Sequence, residues 1–138
     1  MIVLTRCYAL PAAHVLSHSS LSADDNERIY GKCANPAGHG HDYGLEITVT
    51  GPVDPVTGRI LDPDALDAIV RERVLSRFAY RRLNDDPAFR ERVPTAENIA
   101  VVIHDQLEAP IAAHPGARLV GVRVHETRKS SFAYGELE

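Results

Sequence analysis

The hydrophobic period of this chain changes twice, from two residues to between three and four and back to two. Residues 2–10 are mostly apolar and rich in strand formers, and residues 43–50 alternate cleanly. Leu45, Ile47 and Val49 fall on one face of that second segment, and Glu46, Thr48 and Thr50 on the other. Gly51-Pro52-Val53-Asp54-Pro55 then breaks the pattern, and Thr57-Gly58 predicts the return of a hairpin, with residues 59–61 pairing back as a short strand. Asp62-Pro63 reads as a helix start, a side-chain cap followed by proline in the first turn. Leu66, Ile69, Val70, Val74 and Phe78 follow at helical spacing. Thr95 caps a second predicted helix, with Glu97 in the first turn where the helix dipole favours an anion. Its apolar stripe is Ala96, Ile99, Ala100, Ile103 and Leu107, and Pro110 with the His114-Pro115-Gly116 turn is expected to end it. Alternation resumes over 118–127, with Val120, Val122 and Val124 on one face, and Ser131–Leu137 reads as a last strand. Two strands, two helices and two strands predict an α+β domain: a four-stranded antiparallel sheet with two helices on one face. An open sheet this small has two exposed edges, and oligomerisation is one way to close them.

At 138 residues the chain is the size of a single domain, 1–138, without repeats, linkers or low-complexity tracts. A net charge of -4, with no tryptophan and few aromatics, argues against a general nucleic-acid binder. No apolar run approaches the length needed to span a bilayer, and no membrane partner is expected. Met1-Ile2-Val3-Leu4-Thr5-Arg6 lacks the basic segment and cleavage site of a signal peptide. A cytoplasmic location is therefore the expectation, and the two cysteines, Cys7 and Cys33, are too few for a disulfide framework.

The chemistry concentrates in a short stretch. In His39-Gly40-His41, an extended backbone points both imidazoles to one side, and the glycines let the chain bend closely around an ion. His14 follows Pro11-Ala12-Ala13 at the end of the first strand, where small alanines leave room for a neighbouring group. Three neutral imidazoles suit Zn²⁺ and leave a fourth position open for water or substrate. His-Gly-His alone is also what an ordinary surface loop carries, and His18 is an alternative to His14 as third ligand. His104, His114 and His125 read as structural or solvated, and Cys7, mid-strand, as packing.

Ala12-Ala13-His14, Gly31-Lys32-Cys33-Ala34-Asn35 and Gly38-His39-Gly40-His41-Asp42-Tyr43 occur in that order. Thr57-Gly58, Asp62, Leu83-Asn84-Asp85, Pro94-Thr95-Ala96-Glu97-Asn98 and Glu126-Thr127 follow. Together they resemble the 6-pyruvoyl-tetrahydropterin synthase family, which includes the 6-carboxytetrahydropterin synthases of queuosine biosynthesis. The resemblance spans nearly the whole chain. It implies the tunnelling fold, in which three subunits close a twelve-stranded barrel and two rings stack as a homo-hexamer with sites between subunits. It implies a pterin-like small-molecule substrate resembling 7,8-dihydroneopterin triphosphate, and lyase chemistry on its side chain. It also implies Zn²⁺ on His14, His39 and His41, Cys33 as the proton-transfer thiol, and Glu126 as the carboxylate that anchors the pterin ring. Thr95, Glu97 and Thr127 are supporting groups, and Thr95 is equally well explained as a cap. Lys32, Arg28 and Lys129 read as solvated charges.

One segment departs from the family. Where relatives carry Leu-Asp-His, a proton relay for the cysteine, this chain has Phe78-Ala79-Tyr80. Alanine cannot titrate, and tyrosine, with an ordinary pKa of ~10, is a poor base near neutrality. Tyr80 is thus the candidate that remains at the relay position. His125 would face away from Glu126 on a regular strand and is a weak substitute. The departure leaves two other readings open: a divergent member doing zinc-assisted aldol cleavage, isomerisation or cyclisation on another hydroxylated substrate, and a non-catalytic pterin-binding protein.

Overall fold

The computed structural model describes residues 1–137. Its four strands, β1 (Val3–His14), β2 (His39–Thr50), β3 (Arg118–His125) and β4 (Ser131–Gly135), form one antiparallel sheet in the order β1-β2-β3-β4. Alternation works as the sequence predicts. Leu10, Leu45, Ile47, Val49, Val122 and Val124 are at most 1% exposed on the helix side. Thr48 and Thr50, on the opposite face, are also buried, and their hydroxyls are satisfied there: Thr48 pairs with Thr5 across the strands and Thr50 donates to the Ile2 carbonyl. Cys7 lies on that same outer face and is exposed, so it does not pack as expected.

Helix α1 (Ala23–Tyr30) was not predicted. Ser22 caps it and Asp24 and Asp25 occupy its first turn, but none of its residues is buried, so no apolar stripe announces it. Helix α2 (Pro63–Val70) is capped by Asp62 and continues through a wider π-type turn (Arg71–Leu75) into α3 (Ser76–Phe78). Ser76 donates back to the Glu72 carbonyl there, a bond that commonly bends helices. Leu66, Val70, Val74 and Phe78 nonetheless keep one buried stripe. Helix α4 (Ala96–Ala112) runs through Pro110 rather than stopping at it. A proline one turn from the end removes a single N–H, and burial of Leu107 and Ile111 favours the extra turn. These helices and the inner sheet face share one hydrophobic core.

Residues 59–61 form no strand. Both flanks of β2 are already taken by β1 and β3, so a returning segment finds no free ladder. Asp54 instead organises a turn, accepting from the N–H groups of Val56 and Thr57. The edge strands are β1 and β4. Residues 80–82 cover the end of β1: Tyr80 N–H donates to the Pro11 carbonyl and Ala13 N–H to the Arg81 carbonyl, with an isolated parallel bridge from Ala13 to Arg82.

The segment after α3 is fixed by a paired charge. Arg77 grips Asp86 with two hydrogen bonds of 2.8 and 2.7 Å, and Asp86 also accepts from Ala88 N–H. The Arg77 hydrogen bond, helped by that N–H, holds the Asp86 carboxyl below the usual carboxylate range against the opposing effect of burial. A depressed folded-state pKa contributes stability above the unfolded value of ~3.9, and the contribution is lost as pH falls through the lower folded value. Asp86→Asn is therefore expected to cost about 1–2 kcal/mol at neutral pH and nothing extra in strong acid, as read from urea midpoints between pH 2 and 7.

Candidate metal centre

The ladder between β1 and β2 builds the site. His14 stands opposite His39, and Ala12 opposite His41, all on the helix side of the sheet at its open end. The alanine opposite His41 leaves its ring room to turn toward His14. Their Nε2 atoms lie 3.1 Å apart. Cys33, in the single turn of 3₁₀ helix Gly31–Ala34 that follows α1, brings its Sγ to 3.8 Å from His41 Nε2. Glu126, just beyond β3, brings Oε1 to the same distance from the same nitrogen. His41 Nε2 is thus the hub on which three groups converge. Among the described residues, the ligand atoms of His14, Cys33 and His41 all lie within 4.8 Å of one another.

The outer contacts set the protonation state. His14 is fully buried, and its Nδ1 lies 2.9 Å from the Pro94 carbonyl. A carbonyl only accepts, so Nδ1 carries the proton and Nε2 presents its lone pair to the hub. The Tyr43 hydroxyl lies 3.0 Å from the same Nδ1. Burial lowers the pKa of His14, with a smaller push from His39, while the Pro94 bond opposes it. Burial, then His14 and His39, lowers that of His41 against Glu126. Both rings are therefore neutral near pH 7, the form that binds metal ions. The Cys33 thiol is pushed up by burial and then by the Glu126 charge, so it needs a cation beside it to ionise.

The donor set fits an ion such as zinc. Nitrogens bonded at about 2.0–2.1 Å on a tetrahedron stand about 3.3 Å apart, close to the separation of the two Nε2 atoms. The structure brings together His14, His41, Cys33 and Glu126. His39 packs edge-on against His41 with ring centroids 4.5 Å apart, but lies outside the group of mutually close ligand atoms. His18 bonds Ser20 instead. His125 turns to the outer face and bonds Glu46. Thr95 caps α4, and Glu97 is exposed in its first turn. Thr127 is exposed and accepts from Lys129 N–H. Tyr80 is 87% exposed beside β1, on a surface it shares with Pro11, Ala13 and His41, with a left-handed φ of 59° that a bulky residue seldom adopts. Tyr43 and the Pro94 carbonyl were not foreseen. Tyr43 completes the His39–Tyr43 alternation, the one signal that placed it on this face.

A family model described as 6-pyruvoyl tetrahydropterin synthase matches residues 4–136. The chain is 37% identical over 132 residues to the 6-pyruvoyl tetrahydrobiopterin synthase of Poecilia reticulata, covering 95% of this chain and 88% of that protein. It is 35% identical over 132 residues to that of Homo sapiens, covering 95% and 89%. The fold superposes on the solved structure of Caenorhabditis elegans 6-pyruvoyl tetrahydropterin synthase with a TM-score of 0.88 at 31% identity, covering 97% of this chain and 94% of that one.

Proposed function

The chain belongs to the 6-pyruvoyl tetrahydropterin synthase family, and from that premise we propose that it is a zinc-dependent lyase acting on the side chain of a 7,8-dihydroneopterin triphosphate-like substrate. The observation that carries this reading is the convergence of His14, Cys33 and Glu126 on His41 Nε2 at one end of the sheet. In this reading His14, His39 and His41 hold the ion. Bound zinc would polarise the side-chain oxygens of the substrate and acidify the C–H beside the developing carbonyl.

The chain's own residues do the rest. Cys33, as thiolate, takes the proton from that carbon. Glu126 accepts two parallel N–H bonds from the 2-amino-pyrimidinone edge, which fixes the ring in its plane. Thr95, Glu97 and Thr127 lie outside the convergence and serve at most to line the ring pocket. Ring binding is then separable from metal binding. Glu126→Ala is expected to weaken binding of 7,8-dihydroneopterin triphosphate about tenfold or more, at unchanged zinc content, in titration calorimetry.

Tyr80 is turned to solvent beside the edge strand β1 rather than into the convergence on His41. Its role in this reading is exercised on a neighbouring copy, in a homo-hexamer whose edge strands β1 and β4 pair between subunits. Strained backbone at an exposed aromatic is a pattern met at functional sites. Tyr80→Phe is expected to lower turnover about tenfold without changing the melting temperature or zinc content. Among the described residues no helix is long and apolar enough to cross a membrane, which is compatible with action on a soluble metabolite.

A second reading has a specific observation behind it. Ala79 and Tyr80 stand where the family resemblance places an Asp-His relay. A member using the same zinc site for aldol cleavage, isomerisation or cyclisation of a different hydroxylated substrate would show intact metal binding with no loss of triphosphate.

A further inference from the structure

Two ligand sets meet at one place. The ladder aligns His14, His39 and His41 on one face, while the mutually close atoms belong to His14, Cys33 and His41. Their union is three imidazoles and one thiol, the complement of a closed tetrahedral centre. A closed four-coordinate centre meets an oxygen from outside most directly when one of the four donors leaves.

The fold decides which. His14 and His41 sit in a twelve-residue strand pair, and His14 is tied to Pro94 from behind. Cys33 rides on a different kind of element. The arm from Ala23 to Ala34 buries no residue, and its two helical pieces pack chiefly on each other. Its attachments to the body include a few polar bonds. The Leu16 N–H donates to the Cys33 carbonyl, and Asn26 clamps the His18 backbone through both its oxygen and its nitrogen. Gly31, at the joint between the two pieces, has a φ of 57°, and Ile29 is half exposed. Elements with few buried contacts open at low free energy, and this one carries the sulfur.

We propose that Cys33 closes the metal site in the substrate-free protein and withdraws with its arm when substrate oxygens take its place. The proposal rests on the metal reading above and adds a second task to the same thiol. On ligation the thiol gives its proton to solvent. On exchange the metal–sulfur bond breaks as a metal–oxygen bond forms. The sulfur leaves with its electron pair as thiolate and is then free to accept the proton from the substrate carbon, becoming thiol again. One residue thereby guards the ion and is delivered as base only when substrate is present.

The test uses cobalt(II) in place of zinc, because sulfur ligation gives cobalt an intense thiolate-to-metal charge-transfer band in the near ultraviolet. The full chain is loaded with cobalt, its content measured, and 7,8-dihydroneopterin triphosphate added while binding is followed by calorimetry. The expected result is a band in the substrate-free protein, absent in Cys33→Ser at equal cobalt content, and lost as substrate binds. Cobalt bound without the band would overturn sulfur ligation. A band that persists while calorimetry shows substrate bound would overturn the withdrawal. Failure to take up cobalt at all would instead overturn the metal reading, and bound cobalt with no substrate signal would overturn the choice of substrate and the withdrawal with it. Each of these differs from the others in what is measured. Hydrogen exchange of residues 23–34 gives an independent check: protection by the metal in the wild type, absent in Cys33→Ser, is expected.

Discussion

Replacing Cys33 by alanine is expected to lower turnover about 10²–10⁴-fold while zinc content, at saturating metal, stays close to that of the wild type. The magnitude follows from the loss of a positioned proton acceptor. In the proposed reaction Cys33 is the proton acceptor, and its two titratable neighbours are assigned to other tasks. His41 is within reach of its sulfur, but its Nε2 is directed into the same point as that of His14. Glu126 is as near to His41 as the sulfur is, yet it is assigned to the ring of the substrate. At saturating metal zinc is expected to stay bound, more weakly without the sulfur, because three imidazoles suffice to occupy the site. Steady-state kinetics and metal analysis on the same preparation check both halves. Unchanged turnover would remove Cys33 from the mechanism.

His41→Ala is expected to have the opposite signature, with metal and activity lost together. His41 Nε2 lies at 3.1 Å from His14 and 3.8 Å from both Cys33 and Glu126, so its removal takes away the point on which the others converge. A protein zinc site binds with about 10–16 kcal/mol shared over four ligands, so losing one weakens zinc by about 10²–10³-fold. The chain still folds, because His41 lies at the sheet's open end rather than among the core residues. Competition with a chelator of known affinity, alongside thermal melts of the metal-free proteins, separates the two effects. His14→Ala is a poorer test, since it also leaves the buried Pro94 carbonyl without its donor, a penalty of about 1–3 kcal/mol.

Much of this site was legible because it depends on strand periodicity. His39 and His41 two apart, and His14 at the end of an apolar first strand, need only a regular antiparallel ladder to share one face, though His39 stays outside the group that closes up. That ladder is what Leu45, Ile47 and Val49 enforce from the core. What was not legible depends on tertiary contact. The Pro94 carbonyl that sets the His14 tautomer is a backbone atom eighty positions away and leaves no trace in side-chain pattern. Helix α1 has no buried face, so its only signals were a serine cap and two aspartates. Pro110 was read as a stop because local sterics disfavour it in helices, and burial of Ile111 outweighed them. Residues 59–61 carried a hairpin signal, but the strand they would join has both flanks occupied. Tyr80 was placed by the family pattern in the chemistry, and a single chain leaves it in solvent.

Alanine and tyrosine at the relay position bear on the choice between the two proposed reactions. If Tyr80 supplies a proton donor from a neighbouring copy, the family chemistry continues at reduced rate. If it does not, zinc and Cys33 remain available for a reaction that needs a single proton acceptor.

The most direct measurement is to incubate the zinc-loaded chain with 7,8-dihydroneopterin triphosphate and follow the products by mass spectrometry, with chelator-treated protein alongside. The account predicts loss of triphosphate that stops on chelation and resumes when zinc is restored. Unchanged substrate, with one zinc per chain confirmed by metal analysis, would contradict it.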